Sequence, residues 1–294
     1  MIDSELQQVL ERLSGVSITA RQAVESILAG AHRSARRGLS VAFAGHRAYQ
    51  PGDDPRHLDW LVYARSDRYD VRLYDEETRL RATLLVDASG SHAVPEVRQC
   101  AHDLAAALIV LLARQGDAVG LALVSGATAE HLPANTGNGH IAHLITRLTE
   151  RPAAGETALG AATEALAQHL PRRGLAILIS DCLDSVESLE RSVRILRHRR
   201  QEVRVLRVLH PDVEAFPLSG PVRCIGLEGE RPRLLDADRA RPWYREAFAA
   251  HATALAVACH QWGAGLAVIR TDDDLGTALA RVLGEWGAPR GARP

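Results

Sequence analysis

The chain has 294 residues, enough to bury a core without a disulfide or metal staple. Hydrophobic residues make up 46 % and charged residues 24 %, which excludes disordered, collagen-like and coiled-coil classes. Cations number 35 and anions 36, a net charge of −1, which excludes a polyanion binder that works through its bulk field.

Every one of the 35 cations is arginine. Schiff-base and P-loop lysine chemistry are therefore absent. The four cysteines, Cys100, Cys182, Cys224 and Cys259, lie far apart, so zinc-ribbon and C-x-x-C readings fail. Their spacing fits a reduced, cytoplasmic chain. The N-terminal stretch MIDSELQQVLERL is acidic and amphipathic, unlike a signal peptide. The longest apolar run, 104–113, is ten residues, too short for a bilayer. A protein without membrane insertion is expected.

Residues 1–38 read as helices, with Leu6, Val9, Leu10 and Leu13 at helical spacing. Residues 39–80 are rich in Arg, Asp, Tyr and His, and Pro51-Gly52-Asp53-Asp54-Pro55 signals a turn. Val71 and Leu73 alternate with polar neighbours like a strand. From residue 81 a regular rhythm begins. The apolar run 83–86 is a strand ending at Asp87, and 96–115 is a long helix with one apolar stripe. A strand over 119–124 is followed by a hairpin partner at 129–132. Helices at 141–148 and 158–170 precede a fully apolar strand, 175–179, that ends in Ser180-Asp181. A helix at 186–200, a strand at 203–209, a Pro- and Gly-rich stretch at 212–236, a helix at 239–262, a strand at 265–269 and a helix at 275–286 complete the chain.

Strands alternating with long helices predict parallel β-α-β units. The expected fold is α/β: a doubly wound, mostly parallel sheet flanked by helices, preceded by a helical and strand-containing N-terminal segment. Ligands of such sheets bind at the carboxyl ends of the strands, near the point where strand order reverses. There the sequence offers Asp87-Ala88-Ser89-Gly90-Ser91, then Thr157 before a helix, then Asp181. Asp87 and Asp181 are carboxylates; Ser89, Ser91 and Thr157 are hydroxyls. Oxygen-only donors with few carboxylates suit a hard cation, Mg²⁺ first, with Mn²⁺ or Ca²⁺ as alternatives. An extended loop would point Ser89 and Ser91 the same way. Each residue alone has a plainer reading: Asp87 and Thr157 are also good helix N-caps. Hydroxyls are weak ligands, so a partner's acidic group could complete the ion's shell.

Taken in order, D-x-S-x-S, then T, then D, residues 81–286 resemble a von Willebrand factor A domain with its metal-ion-dependent adhesion site. The preceding segment carries Arg47, Tyr49, Pro51, Gly52, Asp53, Asp54 and Arg56, then Asp59-Trp60 and Arg65. It resembles the signature of the domain-of-unknown-function 58 family. The resemblance covers about residues 10–286. It departs from the usual pattern at Ala42 and Leu61, where the family often has Glu and a basic residue. It implies a bacterial or archaeal adaptor working with a MoxR-type AAA+ ATPase and a client protein. It also implies residues 1–80 as a signature-bearing segment docked on the A domain (81–287), an insertion at 212–236 and a flexible tail at 288–294.

Read on its own chemistry, the signature segment pairs Arg47, Arg56 and Arg65 with Asp53, Asp54 and Asp59, either as a structural knot or as a partner interface. The histidines have no ligand spacing; His92, next to Ser91, is either a solvated loop residue or one that reaches the metal edge. Arg191, Arg194, Arg197, Arg199 and Arg200 fit the stabilisation of a helix C-terminus by cations, and nucleic acid is not an expected partner. No G-x-S-x-G, P-loop or dinucleotide motif is present, and the residue two after Asp87 is Ser89 where a dehalogenase-type phosphatase needs Asp. The expected function is a non-enzymatic, metal-presenting adaptor. The alternatives are a Mg²⁺-dependent phosphohydrolase using Asp87 and Asp181, or a structural subunit whose metal site is vestigial.

Overall fold

The computed structural model describes residues 43–50, 58–66, 68–74, 80–90, 94–150, 158–226 and 231–287. The helices expected over 1–38 and the tail at 288–294 lie outside them. Contacts divide the chain into two compact units, residues 28–79 and the remainder.

In the smaller unit, β1 (Phe43–Ala48) pairs antiparallel with β2 (Asp70–Tyr74), with a bulge between Phe43 and Gly45. The short helix α1 (Trp60–Ser66) lies between them in sequence. Asp59 is buried, and its carboxylate accepts the Val62 N–H at 3.3 Å, in the first turn of α1. That is the bond an N-cap side chain makes.

The larger unit runs in chain order as follows. The first half is β3 (Arg81–Asp87), α2 (Pro95–Arg114), β4 (Ala118–Ser125), β5 (Thr128–Asn135), α3 (Asn138–Glu150), α4 (Leu159–Ala167) and β6 (Gly174–Ser180). The second half is α5 (Val186–His198), β7 (Gln201–Leu209), α6 (Pro211–Ala215), β8 (Pro221–Cys224), β9 (Arg233–Asp236), α7 (Ala237–Gln261), β10 (Gly265–Arg270) and α8 (Leu275–Gly287). Six strands form one sheet in the order β10-β7-β6-β3-β4-β5. All neighbours are parallel except β5, which returns antiparallel on β4. The doubly wound, mostly parallel α/β fold is therefore present. Within 212–236, β8 and β9 pair antiparallel as a separate two-stranded sheet.

Nearly continuous apolar runs form β3, β4 and β6 because both sheet faces are covered there. Side chains alternate between faces. Leu85 aligns with Ala122 and Leu178, and Leu178 with Val205. These residues pack with Leu159 and Leu166 of α4, Leu189 and Leu196 of α5, and Leu255 of α7. Helix α2 packs on β3, β4, β6 and β7, with α3 against it. Leu84, Leu104 and Leu108 are fully enclosed, each contributing about 2 kcal/mol of burial. Gly174 opens β6 at φ 157°; a Cβ there would run into the Arg81 carbonyl, so the close approach of β6 to β3 needs glycine.

This order places the reversal point between β3 and β6. Successive strands lead away from β3 toward β5 on one side, and from β6 toward β10 on the other. Among the described residues no helix is long and apolar enough to cross a membrane.

Candidate metal centre

Two adjacent parallel strands deliver the site. Register pairs Val86 of β3 with Ile179 of β6, so Asp87 and Ser180 end their strands side by side. Ser180 Oγ donates to Asp87 Oδ2 at 2.8 Å, across 93 positions of sequence. Asp87 Oδ1 accepts the Ser89 N–H at 2.9 Å. Asp87 is 2 % exposed and Ser89 and Ser180 are 1 % exposed. Asp181 is also buried, and its Oδ1 accepts the Leu183 N–H at 3.1 Å.

The geometry overturns the plainer reading of Asp87. Helix α2 starts at Pro95 behind Val94, without a side-chain cap, so Asp87 is not its N-cap. Helix α4 is headed by Ala158, again without a side-chain cap. The described part of the loop after Asp87 is not extended: it bends at Ser89. Ser91, His92 and Thr157 lie outside the described residues. Asp87, Ser89 and Asp181 are the predicted ligands placed at this crevice.

Two further residues organise it. Ser180 donates to Asp87 and accepts the Cys182 N–H at 3.0 Å, tying β3 to the loop after β6. Arg207, in strand β7, is almost fully buried, and its Nε donates to the Asp181 carbonyl at 2.9 Å. Its guanidinium stacks over Phe248 of α7, 5.1 Å from the ring centre. The sequence signal for Arg207 is a cation between Leu206 and Val208 near the apolar end of the strand; Ser180 has no comparable signal, because its role depends on strand order. Cys182 carries the loop through a left-handed φ of 50°. Burial first, and the Asp181 carboxylate second, raise the Cys182 thiol pKa, so it stays protonated.

A cleft of about 530 Å³ opens beside Asp181, lined by the apolar Val97 of α2, Leu183, Val208, Leu209 and Val213 and by the polar Glu96, His210 and Asp212. Leu183 is half exposed at its rim. The donors present fit a hard cation in kind: carboxylates and hydroxyls, held by N–H and O–H donors on one side. Among the described residues no group of three or more His, Cys, Asp or Glu side chains is placed to hold a metal ion.

In the smaller unit, Tyr63 stacks on Tyr69 with ring centres 4.5 Å apart, flanked by Tyr49 and Trp60. Trp60 is 60 % exposed and Arg65 is exposed. Arg47 lies on β1. Pro51, Gly52, Asp53, Asp54 and Arg56 lie outside the described residues.

A family model described as "Protein of unknown function DUF58" matches residues 45–256. This chain belongs to that family. The DUF58 chain is 33 % identical over 270 residues to uncharacterized proteins of Mycobacterium tuberculosis and Mycobacterium bovis, covering 89 % of this chain and 84 % of theirs. Three solved structures resemble it. An aerotolerance-related membrane protein from Bacteroides fragilis is 16 % identical with a TM-score of 0.38, over 68 % of this chain and 96 % of that one. The conserved hypothetical protein BatB from Bacteroides thetaiotaomicron is 15 % identical with a TM-score of 0.38, over 70 % and 98 %. The SpRpn10 VWA domain is 11 % identical with a TM-score of 0.40, over 69 % and 95 %.

Proposed function

We propose that this protein is a non-enzymatic binding adaptor. It holds Mg²⁺ (Mn²⁺ or Ca²⁺ substituting) at the carboxyl ends of β3 and β6 and presents the ion to an acidic group of a protein partner. The observation that carries this reading is the joining of Asp87 to Ser180 and of Ser89 to Asp87 at the reversal point of the sheet, with Asp181 next in the chain. Asp87, Ser89 and Asp181 would hold the ion, with Ser91 and Thr157 as further hydroxyl donors. Two carboxylates and neutral hydroxyls leave a divalent ion able to attract one more anionic ligand. The cleft beside Asp181 gives an apolar wall for the residues flanking that ligand. Ser89 stands where a phosphatase of the Asp-x-Asp type needs its acid, which favours binding over hydrolysis. A MoxR-type AAA+ ATPase with its client is the partner that the signature segment implies.

The test is capture from native lysate with the tagged chain in Mg²⁺, in EDTA, and with Asp87→Ala. Retention of an AAA+ ATPase or an acidic client only by the wild type in Mg²⁺ supports the reading. Identical retention in all three lanes would contradict it and move the interface to the segment around Trp60 and Arg65.

A further inference from the structure

The opposite end of the same sheet has the opposite chemistry. At the amino ends of β6 and β7, Arg172, Arg173, His198, Arg199 and Arg200 line a cavity of about 480 Å³. Every one of these residues is basic. Arg172 and Arg173 arrive from the loop before β6, and the other three from the end of α5 and the link to β7. The two segments are tied by the Arg173 N–H donating to the Arg199 carbonyl at 3.2 Å. Arg199 is fixed as part of the frame: its Nη2 donates to the Leu170 carbonyl at 2.8 Å, while its Nε is buried without a partner.

None of the four arginines forms an ion pair among the described residues. The carboxylates nearby in the chain are taken, Glu202 by Arg204 and Glu164 by Arg191. The C-terminus of α5 supplies about half an elementary negative charge, which cannot balance four guanidinium groups, two of them from another segment. Arg173 and Arg200 also hold left-handed backbone, at φ 69° and 59°. Glycine would occupy those positions without steric cost, yet the chain places arginine at both.

We infer that this cavity binds the phosphate chain of a small polyanion, such as an inorganic or nucleoside triphosphate. Guanidinium forks match phosphate oxygens in pairs. Several of them converging on one ligand-sized cavity call for several charges within a short span. No Phe, Tyr or Trp lines the cavity, so it lacks the extended stacking platform on which single-stranded nucleic acid is held.

The test is calorimetry on the full chain in EDTA at low ionic strength, which leaves the proposed metal centre out of play. The probes are inorganic tripolyphosphate, ATP and a single-stranded oligonucleotide. The decisive variant is Arg173→Gly with Arg200→Gly, because glycine suits both backbones and removes two charges. The wild type should bind one tripolyphosphate per chain, more weakly as salt rises. The double variant should lose about tenfold or more in affinity while melting no earlier than the wild type. ATP binding as tightly as tripolyphosphate would mean that phosphates alone are read; tighter ATP binding would place a nucleoside contact beside them. Both support the site. Absence of tripolyphosphate binding, equal binding by the double variant, or binding of the oligonucleotide alone would overturn it.

Discussion

The two ends of the central sheet contrast in sign and in construction. At the carboxyl end, Asp87, Ser89, Ser180 and Asp181 are buried and held by one another and by Arg207. At the amino end, Arg172, Arg173 and Arg200 are exposed and have no ionic partner among the described residues. A pre-formed cluster has its geometry paid for in folding, so its residues serve stability and binding together. An open basic cavity keeps its charges in water and gives little to stability. Mutations at the two ends should therefore differ in kind.

The sharpest way to break the contrast is Arg207→Ala. It empties a buried volume beside Phe248 and leaves the Asp181 carbonyl without its donor. A loss of about 3 kcal/mol is expected, readable by urea unfolding. A loss below about 1 kcal/mol would show that the carboxyl end is not held as described. Next comes Ser180→Ala, which leaves Asp87 Oδ2 without its bond from β6 and should cost about 1.5 kcal/mol. Smaller, and of opposite sign, is Arg173→Gly with Arg200→Gly, expected to gain up to about 1 kcal/mol by relieving left-handed backbone. Marked destabilisation there would make the arginines structural and erase the contrast.

Near neutral pH the smallest effects concern the thiols. Burial, with Asp103 and Asp273 adding to it, pushes Cys100 up to about 12, and burial pushes Cys259 up to about 11. Both should label slowly at pH 8, with half-exposed Cys224 reacting first. Raised folded values also mean that the unfolded chain ionises first. Stability should be unaffected below about pH 8.5 and fall as pH rises from there toward 11–12. Cys259→Ala should flatten part of that fall in a pH series of melts.

What the sequence revealed follows the same physics. The apolar runs closed by Asp87 and by Ser180-Asp181 are legible because parallel strands buried on both faces tolerate polar residues only at their ends. The hairpin of β4 and β5 and the two short strands within 212–236 follow from local turn signals. The Ser180–Asp87 bond is not legible, since it depends on β6 lying next to β3, a fact of sheet order rather than of local pattern. Arg207 stands out only as an oddity until its target, the Asp181 carbonyl, is in place. The basic cavity is hidden for the same reason: Arg172-Arg173 and His198-Arg199-Arg200 meet only because β6 and β7 are neighbours. Read along the chain, Arg199 and Arg200 are fully explained by the end of a helix.

The most direct measurement of the central claim is titration of Mn²⁺ into the wild type and into Asp87→Asn, followed by electron paramagnetic resonance, with Mg²⁺ as competitor. The asparagine keeps the size of the side chain but removes the charge. The account predicts one bound Mn²⁺ per chain, displaced by Mg²⁺ and lost in the variant while its unfolding remains cooperative. Equal Mn²⁺ binding by both proteins, or none by the wild type, would contradict it.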